Sequence, residues 1–371
     1  MAATDTTSRF PVIEHALEEG WTLPASWYSN ESVATAEHEV IFAGTWQYAG
    51  WTEQALQPGS FFTSVAGRIP VIVVRGRDDV LRGFVNVCRH RGHLVAEGSG
   101  CRETLQCPYH AWTYDLDGSL RRAPRSEREP GFDPAGFPLR PIAVDTWGPF
   151  VFVNPDPAGA PLRDALGDLP DLIERSGVDL DCLRFHSHHE WDIAVNWKVA
   201  LENYLECYHC PVAHPGFSKV IDVDPDSYRL QVGAMTSSQL GPVREAALDG
   251  RGSLPYDPRG DVEQSQYHFL WPNTTINIAP GPQNLSIERW VPVSSGMTVE
   301  VTDYFFGEDV DDDRIREVIE FDTQVAEEDV SLVLAVQRGL DSGMVPQGRL
   351  MGESEQLIAD FQRRVRDALL P

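Results

Sequence analysis

The sequence predicts an α+β protein in two parts, a small all-β domain followed by antiparallel strands flanked by helices. Three observations predict this. Residues 46–154 carry short β-branched and aromatic runs between Gly, Pro and Asp clusters. Residues 264–301 carry several more strand runs, and residues 311–340 a long amphipathic helix. The length, 371 residues, exceeds what one small core organises. The expected boundaries are an N-terminal segment 1–45 packing on the second domain, a β domain 46–155 and an α+β domain 156–371.

The elements follow in order. Residues 34–43 read as a helix. Residues 69–74 (IPVIVV), 84–88 (FVNVC) and 149–154 (PFVFVN) read as strands, and Asp117-Gly118 within 112–120 marks a hairpin. Residues 161–176 read as a helix and 184–193 as a strand. Residues 196–210 read as a helix ended by Pro211, and 354–370 as a C-terminal helix. The interval 222–261 is rich in Gly, Pro and Asp and reads as mobile.

Lys plus Arg number 30 and Asp plus Glu 56, a net charge of −26. That sign repels phosphate backbones and anionic lipid, which argues against nucleic acid or a membrane as partner. No apolar run approaches the roughly 20 residues of a membrane helix. The first residues carry no basic stretch followed by an apolar one, so a cytoplasmic protein is expected. Six cysteines are too few for a disulfide scaffold in a chain of this length, and clustered Cys and His suggest metal.

The first such cluster is Cys88-Arg89-His90 and, after sixteen residues, Cys107-Pro108-Tyr109-His110. Two sulfurs and two nitrogens from two loops could close a tetrahedral zinc site. They could equally hold a two-iron, two-sulfur cluster, with sulfur on one iron and nitrogen on the other. Cys101 lies outside both motifs and reads as a buried thiol.

The second cluster lies in NWKVALENYLECYHCPVAHPGF, which carries Glu206, His209 and His214. Glu206 and His209 are i and i+3 on one helix face. His209 and His214 would be splayed by about 140° on an unbroken helix, and Pro211 breaks it so that His214 can fold back. The bland readings are an exposed polar stripe or a zinc knot using Cys207 and Cys210. A third ligand comes from the long helix. Its apolar stripe runs Phe321, Val325, Leu332, Val336, Leu340, and Asp329 sits within it. A carboxylate facing a core costs several kcal/mol unless it is paired or metal-bound. A buried Arg or Lys could serve instead of metal. Two histidines and one carboxylate make the facial triad of mononuclear non-haem Fe(II).

CRHRG, CPYHAWTYDLDG, NWKVALENYLECYHCPVAHPGF and EDVSLVLAVQRGL, in that order, resemble the oxygenase (alpha) component of the Rieske non-haem iron oxygenases. The resemblance implies a Rieske [2Fe-2S] domain at 46–155 and a helix-grip catalytic domain at 156–371. It implies Cys88, His90, Cys107 and His110 as cluster ligands and His209, His214 and Asp329 as ligands of mononuclear Fe(II). It implies Glu206 as the bridge from the iron histidine His209 to the cluster histidine His110 of a neighbouring subunit. Asn203 is the nearest match to an asparagine that some members place near the iron. The implied partners are O₂, a small-molecule substrate and an NAD(P)H-dependent flavin and iron–sulfur reductase, and the implied assembly is a homotrimer.

Glu206 at the bridge, where most ring-hydroxylating members carry Asp, and the ENYLECYHC segment are similar to carnitine, choline and betaine-type monooxygenases. That points to hydroxylation or oxidative demethylation or cleavage of a small quaternary-ammonium compound. The alternative is an aromatic ring-hydroxylating mono- or dioxygenase alpha subunit. A quaternary cation needs an aromatic cage, for which Tyr204, Phe217, Tyr267, Phe269 and Trp271 are the expected candidates.

Overall fold

The computed structural model describes residues 10–249 and 254–370. The start of the expected N-terminal segment and part of the interval 222–261 lie outside the described residues. The chain forms two compact units, Phe42–Leu162 and the combination of Met1–Ile41 with Arg163–Pro371.

The first unit is all β apart from short turns of 3₁₀ helix. Its strands are β1 (Gln47–Trp51), β2 (Ser60–Ala66), β3 (Ile69–Arg75), β4 (Leu81–Val85), β5 (Ser99–Cys101), β6 (Leu105–Gln106), β7 (Thr113–Tyr114), β8 (Leu120–Arg122), β9 (Pro141–Trp147) and β10 (Phe150–Asn154). A seven-stranded sheet runs β1-β10-β9-β4-β3-β2-β5, and β6-β7-β8 form a second, three-stranded sheet. Phe61, Ile72, Phe84, Leu105 and Tyr114 share one core. The hairpin at Asp117-Gly118 turns through Gly118 at φ 85°. A Cβ there would meet Phe84 at 2.4 Å, so only glycine fits.

The second unit holds an antiparallel sheet of β11 (Leu183–Ile193), β12 (Arg229–Val232), β13 (Thr236–Pro242), β14 (Gln264–Leu270), β15 (Thr274–Ile278), β16 (Asn284–Ser294) and β17 (Met297–Gly307). Its order is β11-β17-β16-β15-β14-β13-β12. Register decides which side chains share a face, because paired residues and alternate neighbours point the same way. One row runs Gln239, Tyr267, Asn277, Ser286, Tyr304. The next holds Thr275, Glu288 and Thr302, and the one beyond holds Trp290, Glu300 and Trp191.

Helices flank this sheet. The helix Asp312–Asp341 is capped by the Asp311 side chain, which accepts from the N–H groups of Asp313 and Arg314. Its Val318 and Phe321 pack with Tyr304 and Phe306 of β17. The helix Trp197–Tyr204 begins at Asn196, whose side chain accepts from Lys198 N–H. It is fixed at three points. Asn196 N–H donates to Gln337 of the long helix at 2.9 Å. Lys198 Nζ and Trp197 Nε1 both donate to Glu37, at 2.6 and 2.9 Å. Glu37 belongs to the helix Glu31–Val40.

Several elements differ from expectation. The helix expected over 196–210 stops at Tyr204, and a separate short helix, Cys210–Ala213, follows. Pro211 sits in its first turn, where a missing N–H costs nothing, so the proline starts a helix rather than ending one. Residues 161–176 form two helices, Leu162–Leu166 and Leu169–Arg175. The interval 222–261 contains β12, β13 and the helix Glu245–Leu248, held by sheet pairing despite its composition. In the long helix Val333 and Gln337 are buried and Val336 is exposed, because the covered face follows i+4 steps from Val325 through Asp329. Cys101 is exposed on β5, a short outer strand of the sheet, and is not a core thiol.

Candidate metal centres and active-site cavity

In the first unit, the two Cys/His motifs occupy two turns. Gly92 N–H returns to Cys88 C=O at 3.1 Å, and Ala111 N–H returns to Cys107 C=O at 3.1 Å. Both turns need left-handed residues, Gly92 at φ 77° and Ala111 at φ 57°. The sulfurs are buried and the histidines exposed. Tyr114 fixes the first loop, its hydroxyl lying 3.3 Å from Cys88 Sγ and accepting from Arg89 N–H at 3.0 Å. The rings of His90 and His110 stand 4.6 Å apart, and His90 stacks on Trp112.

Burial raises the Cys107 thiol, while backbone N–H groups of Tyr109 and His110 directed at it work the other way and favour thiolate. Burial, with His110 and Arg91 nearby, lowers His90 and favours the neutral imidazole that binds metal. Among the described residues, the group whose donor atoms all lie within 4.8 Å of one another is His209, His214 and Asp329, and this four-residue set is not so compact. A single zinc gathers its donors more tightly, whereas a two-iron cluster spans the wider gap. The donor set therefore fits a [2Fe-2S] cluster.

In the second unit, Glu206 and His209 lie in the irregular stretch after Tyr204, and His209 and His214 bracket the short helix Cys210–Ala213. That helix turns the two rings together, and their Nε2 atoms are 3.0 Å apart. Asp329 Oδ1 lies 3.1 Å from His214 Nε2 and 3.4 Å from His209 Nε2. Ligands held at about 2.1 Å and near right angles stand about 3 Å apart, so the triad fits one divalent ion. Asp329 also accepts a hydrogen bond from the Asn203 side chain. Its partners are thus histidines and an amide, rather than a buried Arg or Lys.

Charge in this triad is strongly coupled. Burial would raise Asp329, but hydrogen bonds from His209 and His214 outweigh it and bring it down to about 2. Burial would lower His209, but the carboxylates of Asp329 and Glu206 hold it at about 9. The site therefore attracts positive charge, which a metal cation supplies.

Each histidine of the triad has a carboxylate behind it. Glu206 takes His209 Nδ1 and also accepts from the N–H groups of Tyr208 and His209. Glu328 Oε2 takes His214 Nδ1 at 2.7 Å. Glu328 was not singled out in the sequence, where periodicity puts it at the edge of the helix stripe. Cys207 and Cys210 are disulfide-bonded to each other, so the Cys-x-x-Cys zinc knot is not built.

A cavity of about 150 Å³ opens on the triad. Tyr204, Phe217 and Tyr267 line it, joined by Tyr228, Trp191 and Trp290, which the sequence reading missed. Phe269 and Trp271 do not line it and instead pack on Phe361 of the helix Gln356–Leu369. Phe269 shares a face with Tyr267, but at that point along the strand Phe361 covers the sheet. Buried carboxylates Glu288 and Glu300, together with Asp322, also line the cavity. Strict alternation with Trp290 on β16 and with Thr302 and Tyr304 on β17 was the signal that could have found the first two.

No helix of the described residues is long and apolar enough to cross a membrane. Residues 45–143 match the Rieske [2Fe-2S] domain, and residues 180–370 match the ring hydroxylating alpha subunit (catalytic domain). The chain is 34% identical to the carnitine monooxygenase oxygenase subunit of Acinetobacter pittii (strain PHEA-2), over 93% of this chain and 94% of that protein. It is 30% identical to the chloroplastic choline monooxygenase of Amaranthus tricolor, over 93% of this chain and 77% of that protein. A solved structure of a quaternary ammonium Rieske monooxygenase superposes with a TM-score of 0.87 at 30% identity, covering 97% of this chain and 100% of that one. With a Rieske domain, a ring-hydroxylating catalytic domain and a carnitine monooxygenase subunit matched nearly end to end, the chain belongs to the Rieske non-haem iron oxygenases, as an oxygenase (alpha) component.

Proposed function

We propose that this chain oxidises a small quaternary-ammonium compound with O₂, hydroxylating it or cleaving or demethylating it at a carbon beside nitrogen. The observation that carries the reading is the His209–His214–Asp329 triad opening directly onto a cavity walled by aromatic rings. Carnitine and choline monooxygenases are matched along nearly the whole chain, which favours this reading over an arene substrate.

Cys88, His90, Cys107 and His110 would hold the cluster, and His209, His214 and Asp329 the iron. When bound, the iron supplies O₂ activation, chemistry that no protein side chain provides. The protein's own residues do the rest. Glu328 and Glu206 hold the Nδ1 protons of His214 and His209, which keeps each Nε2 free and aimed at the site. Glu206 also provides the bridge toward His110 of a neighbouring subunit in a homotrimer. Inter-subunit electron transfer described for the quaternary ammonium Rieske monooxygenase supports that role. Asn203 steadies Asp329 through its hydrogen bond. Tyr204, Phe217 and Tyr267 present ring faces and edges to an ammonium group. Electrons come from an NAD(P)H-dependent flavin and iron–sulfur reductase, which suits work in the cytoplasm.

The test is oxygen uptake by the iron-loaded chain with a surrogate reductase and NADH. Uptake coupled to oxidation of choline, carnitine or a related ammonium compound supports the reading. Uptake coupled only to an arene such as naphthalene overturns it.

A further inference from the structure

The charge lining the cavity is one-sided. Among the residues that line it none is Lys or Arg, while Glu288, Glu300 and Asp322 all do. These carboxylates are held by neutral donors. Glu288 accepts from Thr275 Oγ1 at 2.5 Å and from Asn277 Nδ2 at 2.6 Å. Glu300 accepts from Thr302 Oγ1 at 3.1 Å, and Asp322 from the Tyr304 hydroxyl at 2.5 Å. A buried carboxylate with no cation beside it is unfavourable unless it is protonated or a cation arrives.

A second observation concerns Gln239, on the same row of the sheet as Tyr267. It is 2% exposed, its Nε2 donates to Tyr204 C=O at 2.6 Å, and its Oε1 has no partner. Gln239 lines the cavity too, so it adds an unpaired acceptor to a wall already rich in acceptors. A ligand that donates or carries positive charge satisfies these groups. A ligand carboxylate would meet no Lys or Arg there, and would lie beside Glu288, Glu300 and Asp322.

We propose that the cavity selects ammonium compounds that carry no carboxylate, with Glu300 and Glu288 as its specificity-determining residues. The proposal rests on the quaternary-ammonium reading and narrows it. Carnitine is a zwitterion whose carboxylate would lie among these acids, whereas choline ends in a hydroxyl that can donate to them. Burial raises Glu300 to about 7 and, with repulsion from Glu300 and Asp322, raises Glu288 well above the carboxylate range. A bound cation lowers both and is stabilised in return.

Isothermal titration of the iron-loaded protein at pH 8 with choline, L-carnitine and uncharged 3,3-dimethylbutan-1-ol tests this. Choline should bind at least about ten-fold tighter than either of the others, a difference of about 1.4 kcal/mol. Glu300→Gln should weaken choline by about ten-fold and leave the uncharged analogue unchanged. Carnitine binding as tightly as choline overturns the proposal and leaves the quaternary-ammonium reading standing. The uncharged analogue binding as tightly as choline overturns both. The comparison of ligands on the unaltered protein stands even if the variant misfolds.

Discussion

Glu328 Oε2 lies 2.7 Å from Nδ1 of His214, on the far side of the ring from Asp329. The ring is thereby pinned between two carboxylates of one helix, one to receive its Nδ1 proton and one to share its Nε2 ligand position. Outer carboxylates of this kind typically govern metal affinity by about 10–100-fold. Glu328→Leu should weaken iron binding by about that factor while the cluster spectrum is unchanged. Competition with a calibrated ferrous chelator measures it, and unaltered affinity would remove Glu328 from the site.

Glu206 stands in the corresponding place behind His209, within reach of its Nδ1. Glu206→Gln should keep both metal centres and lose nearly all coupled turnover, because an amide cannot accept in the same way from both histidines it is proposed to join. Reoxidation of the reduced cluster by O₂ in the presence of substrate, followed by stopped-flow absorbance, reports the step. A wild-type rate would exclude the bridge.

His214→Ala removes one of the three proposed iron ligands and leaves Cys88, His90, Cys107 and His110 untouched. Mononuclear iron should be lost and the visible spectrum of the cluster retained. Iron retained at wild-type level would mean that the triad is misassigned.

Lys198 and Glu37 form an ion pair at 2.6 Å, both side chains fully buried, at the start of the helix that leads to Asn203 and Tyr204. Removing one partner leaves a buried charge unpaired, at a cost of about 3–5 kcal/mol. Lys198→Met should destabilise the protein by about that amount in urea unfolding. A loss below about 1 kcal/mol, the value of a surface pair, would show that solvent reaches the site.

Glu202 supplies the pH dependence. Burial raises its carboxyl from 4.5 to about 7, against hydrogen bonds from Tyr28 and Gln362. The folded state thus keeps a proton that the unfolded chain has released, so this group's contribution to stability falls as pH rises from about 4.5 to about 7 and is level above that. Glu202→Gln should be the more stable protein at pH 8 by about 1–2 kcal/mol, with the advantage gone near pH 4.5. Thermal unfolding at the two pH values checks the sign, and an equal difference at both would refute it.

The two proposed ligand sets were legible as candidates because metal chemistry demands rare residue types at short, fixed spacings. Cys88, His90, Cys107 and His110 needed no tertiary information, and Asp329 was conspicuous as an acid within an apolar stripe. What failed was local geometry. Pro211 was read as a stop, yet the chain had already left the helix at Tyr204 to bring Glu206 onto His209. Glu288 and Glu300 were overlooked because acids in strands usually face water, and both faces of β16 and β17 are covered here. Phe269 and Trp271 have the composition of a cage, but the position of Phe361 decides that they pack in the core.

Metal and sulfide analysis of the anaerobically purified chain, joined to its low-temperature EPR spectrum, shows whether both metal centres are present. One [2Fe-2S] cluster and one further iron per chain are expected, with a Rieske signal on reduction. Zinc without acid-labile sulfide would contradict both assignments.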